Sequence, residues 1–528
     1  MESLQLLLDG FAVALTPLNI ALVFAGVLIG TTVGMLPGIG PINAIAILIP
    51  VTFALGLSPA TALILFAGIY YGSQYGNSIS TILLNVPGTA SSVATALDGY
   101  EMTRRGRAGP ALASAAISSF VGGTTSIFGL ILFAPLLAAW AIRFGPAEYF
   151  ALIVFAFCAL SGLTGKSVMK GMIAAVFGLM LATIGLDPSS SVPRFTFGQL
   201  KLLDGLDFVV VTIGLFAISE VLQGLESSAT GEKVSRLVGR VMLTARELRE
   251  SIGSMLRGSV IGFLIGVLPG AGGTIASFVA YSSERTWLGR KQTFGQGDLR
   301  GVAAPESANN AATTGALIPL LTLGVPGSGT TAVMLGALLA MNVTPGPLLL
   351  ESSPELFWGL VASMYIGNVL LLMLNLPLVG IFVRILSVPR WFLMPTVVAI
   401  SFVAVYAVNN SPFDILLMTM FGALGYLMRK TGFPLAPLIL GLVLGPLMEK
   451  NLRRALALSG GDWWVLVSSP LTIALWTLAA VSLLAPLLFA TVRRMQRLRA
   501  AREGRGGPVP PAPDGTTERE TEEESLRL

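Results

Sequence analysis

Two stretches of the chain combine helix-breaking glycine and proline with small polar side chains. Gly34-Met-Leu-Pro-Gly-Ile-Gly40 returns in the second half as Gly266-Val-Leu-Pro-Gly-Ala-Gly272, each inside an apolar run. A second pair follows in the same order: Gly76 leads to Asn85-Val-Pro-Gly88-Thr-Ala-Ser-Ser92, and Gly315 to Gly324-Val-Pro-Gly327-Ser-Gly-Thr-Thr331. A broken helix frees backbone N–H groups at a half-helix N-terminus, where the positive end of the dipole favours anions. Carbonyls at the opposite half-helix ends suit Na⁺. The chemistry expected is non-covalent capture of an anion beside a co-bound cation.

The side chains around the breaks fit that chemistry. In the first half the candidate substrate-binding residues are Gly38, Gly40, Asn43, Asn85, Gly88, Thr89 and Ser91. In the second they are Gly270, Gly272, Thr274, Asn309, Asn310, Gly327, Ser328 and Thr330. Glu306 is the only ionisable residue between Gly301 and Met341, and an acid at membrane depth is a functional candidate by default. With Asn77 and Thr313 it forms the candidate coupling-ion set. Neither break region contains Arg or Lys, so a bound anion is expected to rest on dipoles, amides and the co-bound cation. The plainer readings are that a lone glycine motif only packs helices, that a hydroxyl bonds its own helix, and that Glu306 caps a helix end. Paired recurrence of both motifs in order favours a transport site.

These residues must be held by membrane-spanning helices. Of 528 residues, 54% are hydrophobic and 12% charged, about half the charged share of a soluble domain. Mean hydropathy is +0.79, and apolar runs of about 20 residues, enough to cross a bilayer, recur throughout. A β-barrel would show short alternating segments instead. The fold class expected is an all-α polytopic integral membrane protein with broken or re-entrant helices and roughly 11–12 crossings. The formal charge of +5 is confined to a few loops and does not point to nucleic acid. The chain has no His and a single cysteine, Cys158, which excludes His-ligated metal, a His general base and an intrachain disulfide. No catalytic residue, metal or organic cofactor is expected. Gly162-Leu-Thr-Gly-Lys-Ser167 echoes a phosphate-binding loop, but Leu160 stands where its first glycine belongs, so ATP is not expected to power the chain.

Charge placement orients the halves. No Lys or Arg precedes Arg104, and none lies between Gly301 and Val383, where Glu351 and Glu355 mark an acidic loop. Arg104, Arg105 and Arg107, the central loop from Lys233 to Arg257, and the loop from Arg285 to Arg300 are basic and read as cytoplasmic. The first break hairpin therefore opens outward and its twin inward, giving two inverted-topology repeats. Residues 1–225 form the first repeat, 226–257 a basic linker, 258–491 the second repeat, and 492–528 a tail disordered by composition. Loops at Lys166/Lys170, Arg384/Arg390 and Arg429/Lys430 read as cytoplasmic, and those at Asp187–Lys201 and Asn409–Asp414 as external. Strict inversion would place Arg493 and Arg494 outside; an extra crossing at Leu435–Met448 would restore a cytoplasmic tail.

At the break motifs, at Tyr71–Gly88, Asp98-Gly-Tyr-Glu-Met102, Ala304-Pro-Glu-Ser-Ala-Asn-Asn310 and Thr322–Ser328, and from Gly432-Phe-Pro-Leu-Ala-Pro through Glu449-Lys-Asn-Leu-Arg-Arg454, the chain resembles the large membrane subunit of the tripartite tricarboxylate transporters, the TctA family. The resemblance runs from about Leu18 to the Pro470 region. It implies a bacterial inner-membrane secondary transporter that works with a small TctB-like membrane subunit and a periplasmic TctC-like solute-binding protein. It further implies uptake of citrate-like carboxylates driven by Na⁺ or H⁺, and, by likeness to related carriers, an elevator-type motion. A homodimer is left open. The competing reading is a passive anion channel or pore-forming scaffold.

Overall fold

The computed structural model describes residues 2–36, 39–164, 167–187, 190–226, 240–289, 293–385 and 390–484. Pro37, Gly38, Lys166, Lys233, Arg236, Arg290, Lys291 and the 492–528 tail lie outside them. The first half runs α1 (Glu2–Ala14), α2 (Pro17–Met35), α3 (Gly40–Ala54), α4 (Pro59–Leu84), α5 (Val93–Arg104), α6 (Ala108–Ala141), α7 (Pro146–Thr164) and α8 (Val168–Ala182). A two-stranded hairpin follows, Gly185–Leu186 antiparallel to Pro193–Arg194. Next come α9 (Phe208–Ile213), a π-helical turn at Gly214–Ile218, and α10 (Ser219–Glu226). The second half runs α11 (Ala245–Val267), α12 (Gly272–Trp287), α13 (Arg300–Gly315), α14 (Leu317–Leu323), α15 (Gly329–Ala340), α16 (Leu349–Ser352), α17 (Pro354–Asn375), α18 (Val379–Ile385), α19 (Arg390–Asn409), α20 (Pro412–Lys430) and α21 (Ala436–Leu458). A final apolar helix, α22, spans Pro470–Leu484.

The protein is an all-α polytopic membrane protein. Among the described residues, α2, α6, the α9–α10 helix, α11 and α17 are long and apolar enough to cross a bilayer, and shorter apolar helices accompany them. Leu132 and Leu136 on α6 are 70% and 67% exposed, an outer face that water would not tolerate but lipid does. Helices α4 and α13 differ. They carry Tyr, Asn, Ser and Thr, are buried along nearly their whole length, and form the centre of the molecule.

Glycine rows explain how those two polar helices are enclosed. Gly30 and Gly34 of α2 lie so close to α4 that a Cβ would stand 2.3 Å from Ile69 O and 2.2 Å from Ser73 O. Gly262 and Gly266 of α11 meet α13 in the same way, at 2.2 Å from Ala308 O and 2.4 Å from Ala312 O. Backbones in contact maximise dispersion where lipid offers no hydrophobic drive. The same packing thus occurs in both halves, and α6 ties them: a Cβ on Gly122 would be 2.2 Å from Ser307 O of α13.

Loops gather at two ends. Arg107 Nη2 donates to Glu247 Oε1 at 2.5 Å. Asp98 Oδ1 accepts from the backbone N–H of Gly295, Gly297 and Asp298, and Oδ2 from Tyr281 Oη, at 2.8–2.9 Å. Three basic loops therefore share one face. Lys170 Nζ reaches Thr431 O at 2.5 Å, bringing two further basic loops together. Elsewhere Asn409 Nδ2 donates to Asp207 and Asp414, and Arg453 pairs with Asp187 at 2.7 Å. Helix α21 starts near the Lys170–Thr431 contact and ends at Asp187, so it carries the chain from one loop group to the other along α8.

Candidate functional site

The break loops of both halves meet at one cavity of about 430 Å³. Each loop follows the same local logic. Helix α2 stops at Leu36 and α11 at Leu268, both extended, and the next helices restart on Gly40 and Gly272 at φ +59° and +57°. Neither α3 nor α12 has a side chain capping its N-terminus, which leaves the first-turn amides for another acceptor. Helices α4 and α14 end alike, on Asn85 and Gly324 in the left-handed region, before Val-Pro-Gly turns each chain back. Gly270 N donates to Gly327 O at 3.0 Å, joining the two breaks of the second half.

Of the sequence candidates, Gly40, Asn43, Gly88, Thr89, Ser91, Gly270, Gly272, Thr274, Ser328 and Thr330 line this cavity. Asn77 stands behind the wall: its Nδ2 donates to Thr89 Oγ1 at 2.7 Å and to Gln74 Oε1 at 3.1 Å. Ser91 Oγ also donates to Gln74 Oε1, at 3.1 Å. Asn309 lies under the floor, its Oδ1 only 2.5 Å from where a Cβ on Gly273 would sit. Both amide atoms of Asn309, and the Oδ1 atoms of Asn310 and Asn77, are buried without a hydrogen-bond partner. Thr313 Oγ1 bonds its own helix at Asn309 O, 3.1 Å away. Asn85 is exposed, away from the cavity. Gly327 packs on Ala316, and Gly38 lies outside the described residues.

Glu306 is not a helix cap at the membrane edge. It sits mid-helix in α13, wholly buried, where Oε1 accepts from Thr95 Oγ1 at 2.6 Å and Oε2 from Ser119 Oγ at 3.3 Å. Among the described residues no Lys or Arg pairs with it. It does not line the cavity; α13 places it one turn before Asn309 and Asn310.

Beyond the break motifs and the residues directly flanking them, the wall also holds Tyr70, Gln74, Phe216 and Arg429. Tyr70 and Gln74 have a legible signal, since Tyr70, Gln74 and Asn77 share one face of α4 at i, i+4, i+7 spacing. Tyr70 Oη bonds Ser328 Oγ at 3.1 Å, so the wall is shared between halves. Phe216 comes from the π-helical turn, a distortion that concentrates at functional sites. Neither break region supplies an Arg or Lys, but Arg429 brings a guanidinium to the same wall from elsewhere in the chain. The guanidinium arrives from the far end of α20, remote in sequence from either break, and its Nη1 donates to Glu220 Oε2.

The family model for the tripartite tricarboxylate transporter TctA family matches residues 20–440. An uncharacterized 52.8 kDa protein in the TAR-I ttuC' 3'region of Agrobacterium vitis is 45% identical over 475 residues, 90% of this chain and 94% of the relative. An uncharacterized protein in the TAR-II ttuC' 3'region of the same organism is 47% identical over 227 residues, 43% of this chain and 94% of the relative. No solved structure matches. The family-model match over residues 20–440, with a relative 45% identical over 90% of this chain, places the protein in the tripartite tricarboxylate transporter TctA family.

Proposed function

We propose that this chain is the large membrane subunit of a tripartite importer for carboxylate anions, working in a bacterial inner membrane. A small membrane subunit and a periplasmic solute-binding protein would complete the system. The supporting observation is the convergence of break loops from both halves on one cavity that carries hydroxyl and amide groups beside Arg429. In this reading the anion's carboxylates accept from the uncapped amides of α3 and α12 and from the hydroxyls of Thr89, Ser91, Ser328 and Thr330. Gly272 and Gly40 let the backbone itself approach the substrate, because no side chain shields those amides.

Coupling is assigned to the layer beneath. The unpartnered carboxamide oxygens of Asn77, Asn309 and Asn310 are acceptors suited to a small cation. Glu306 supplies the ionisable group, taking up a proton or balancing Na⁺. Inverted orientation of the two halves would provide alternating access, with each break facing its own side. The matching glycine packing in both halves and the clustering of the basic loops at one end support it.

The test is uptake of labelled citrate, succinate and malonate by cells producing the chain with its neighbouring small subunit and binding protein. Saturable uptake abolished by collapsing the sodium or proton gradient is the expected result. Conductance that persists without a gradient or a binding protein would establish the channel reading instead.

A further inference from the structure

Among the described residues the cavity has one charged side chain on its wall, and it is already engaged. Arg429 occupies the last turn of α20. Its guanidinium makes a single hydrogen bond among the described residues, from Nη1 to Glu220 Oε2, while Nε is buried without a partner. Both side chains are largely enclosed, Arg429 at 23% and Glu220 at 14% exposure. A guanidinium offers five N–H groups in a plane and prefers two parallel bonds to a carboxylate. Here that capacity is mostly unused. Glu220 stands in the first turn of α10, directly after the π-helical turn that puts Phe216 on the same wall.

A purely structural clasp between α10 and α20 does not need this pair. Lys430 and Tyr426 of α20 both donate to Glu226 of α10 at 2.7 Å. Gly425 packs onto Leu215 O and Gly422 onto the Ile218 side chain, so α20 is also held closely against the π-helical turn that precedes α10. Arg429, bonded to Glu220, instead reaches the cavity wall. With a resident carboxylate on the one cation that lines the wall among the described residues, a second carboxylate must compete for the same fork.

Resting on the carboxylate-import reading, we propose that Arg429 is the anchor for one carboxylate of a di- or tricarboxylate substrate and Glu220 its exchangeable counter-ion. The break amides and hydroxyls hold the remaining carboxylates. Glu220 keeps Arg429 from binding the anion too tightly to release it, so the pair sets affinity against turnover.

The experiment uses the purified full-length chain in detergent, with citrate, succinate and malonate as probes and ligand-dependent thermostability as the binding readout. Uptake kinetics in cells follow. Arg429→Gln should raise the apparent Kd and KM about 10- to 100-fold, the range for a lost charge-assisted bond. Arg429→Lys should fall between. Glu220→Gln should act oppositely, lowering the apparent Kd while slowing maximal uptake. Glu226→Gln, which removes only the outer clasp, should leave Kd unchanged. If Arg429→Gln binds all three anions as the native chain does, or if Glu220→Gln weakens binding as much as Arg429→Gln, the pair is merely structural and the proposal falls. If the native chain responds to none of the anions, the carboxylate reading itself falls and takes the proposal with it.

Discussion

Gly270→Ala and Gly272→Ala place the same methyl group two residues apart in one break, and the structure assigns them different costs. Both glycines have positive φ, +81° and +57°. An L-residue there costs about 1–2 kcal/mol in either case. The new Cβ at Gly272 meets nothing within 4 Å, so the backbone term is the whole effect. At Gly270 the Cβ would lie 2.6 Å from Ala159 C and Leu160 N, which are backbone atoms of α7 and cannot rotate away. Forcing them apart adds about 1–3 kcal/mol, for a total near 2–5 kcal/mol, and also strains the Gly270–Gly327 hydrogen bond that joins the breaks. Gly270→Ala should therefore melt well below the native protein and lose uptake. Gly272→Ala should melt close to it, with its uptake defect confined to KM. Thermal unfolding in detergent, monitored by size-exclusion fluorescence, and uptake normalised to membrane content measure both. Equal melting temperatures for the two variants would refute the claim that the break is packed against α7.

Other outcomes follow from the same geometry. Glu306→Gln keeps the contacts to Thr95 and Ser119 but not the charge, so uptake should cease to follow the cation gradient while protein yield stays native; gradient-driven uptake at the native rate removes Glu306 from coupling. Asp98→Ala strips the acceptor that fixes residues 295–298 and Tyr281. Each orphaned donor costs about 1–3 kcal/mol, and trypsin should cleave after Arg285 or Arg300 far faster than in the native chain; unchanged cleavage would count against the knot. Asp298, in the same loop, is pushed up by burial, but hydrogen bonds from Arg300 and Thr293 outweigh this and hold it below the ordinary carboxylate range. A depressed folded-state pKa stabilises fully above the unfolded value, about 3.9, and the gain is lost as pH falls through the folded-state value. Melting temperature should therefore drop below about pH 3.9 by an amount that Asp298→Asn removes; superimposable profiles would contradict it.

The break loops are legible in the sequence because glycine and proline act locally: Gly40 and Gly272 need positive φ, and Pro cannot continue a hydrogen-bonded turn. The glycine rows of α2 and α11 are legible as a four-residue spacing. What the chain hides is whatever reaches the cavity across space. Arg429 closes an apolar helix beside Lys430, and in sequence that pair reads as a topology signal. Only the docking of α20 on α9–α10 turns one of the two inward. Phe216 depends on a π-helical turn that no residue type announces. Glu306 reads equally well as a cap or a buried acid, because its partners Thr95 and Ser119 come from α5 and α6. The path of α21 is equally hidden, since its contacts with Thr431–Lys170 at one end and Asp187–Arg453 at the other join residues far apart in sequence.

The glycine rows have a mechanical consequence. Two helices that touch peptide to peptide along three turns have no side-chain layer in which to slide, since any shift drives carbonyl oxygens into Cα atoms. Each broken-helix pair is thus a stiff strut. Displacement during a transport cycle must be taken up where side chains, not peptides, form the boundary, and Tyr70 against Ser328 and the rim at Phe216 are such seams.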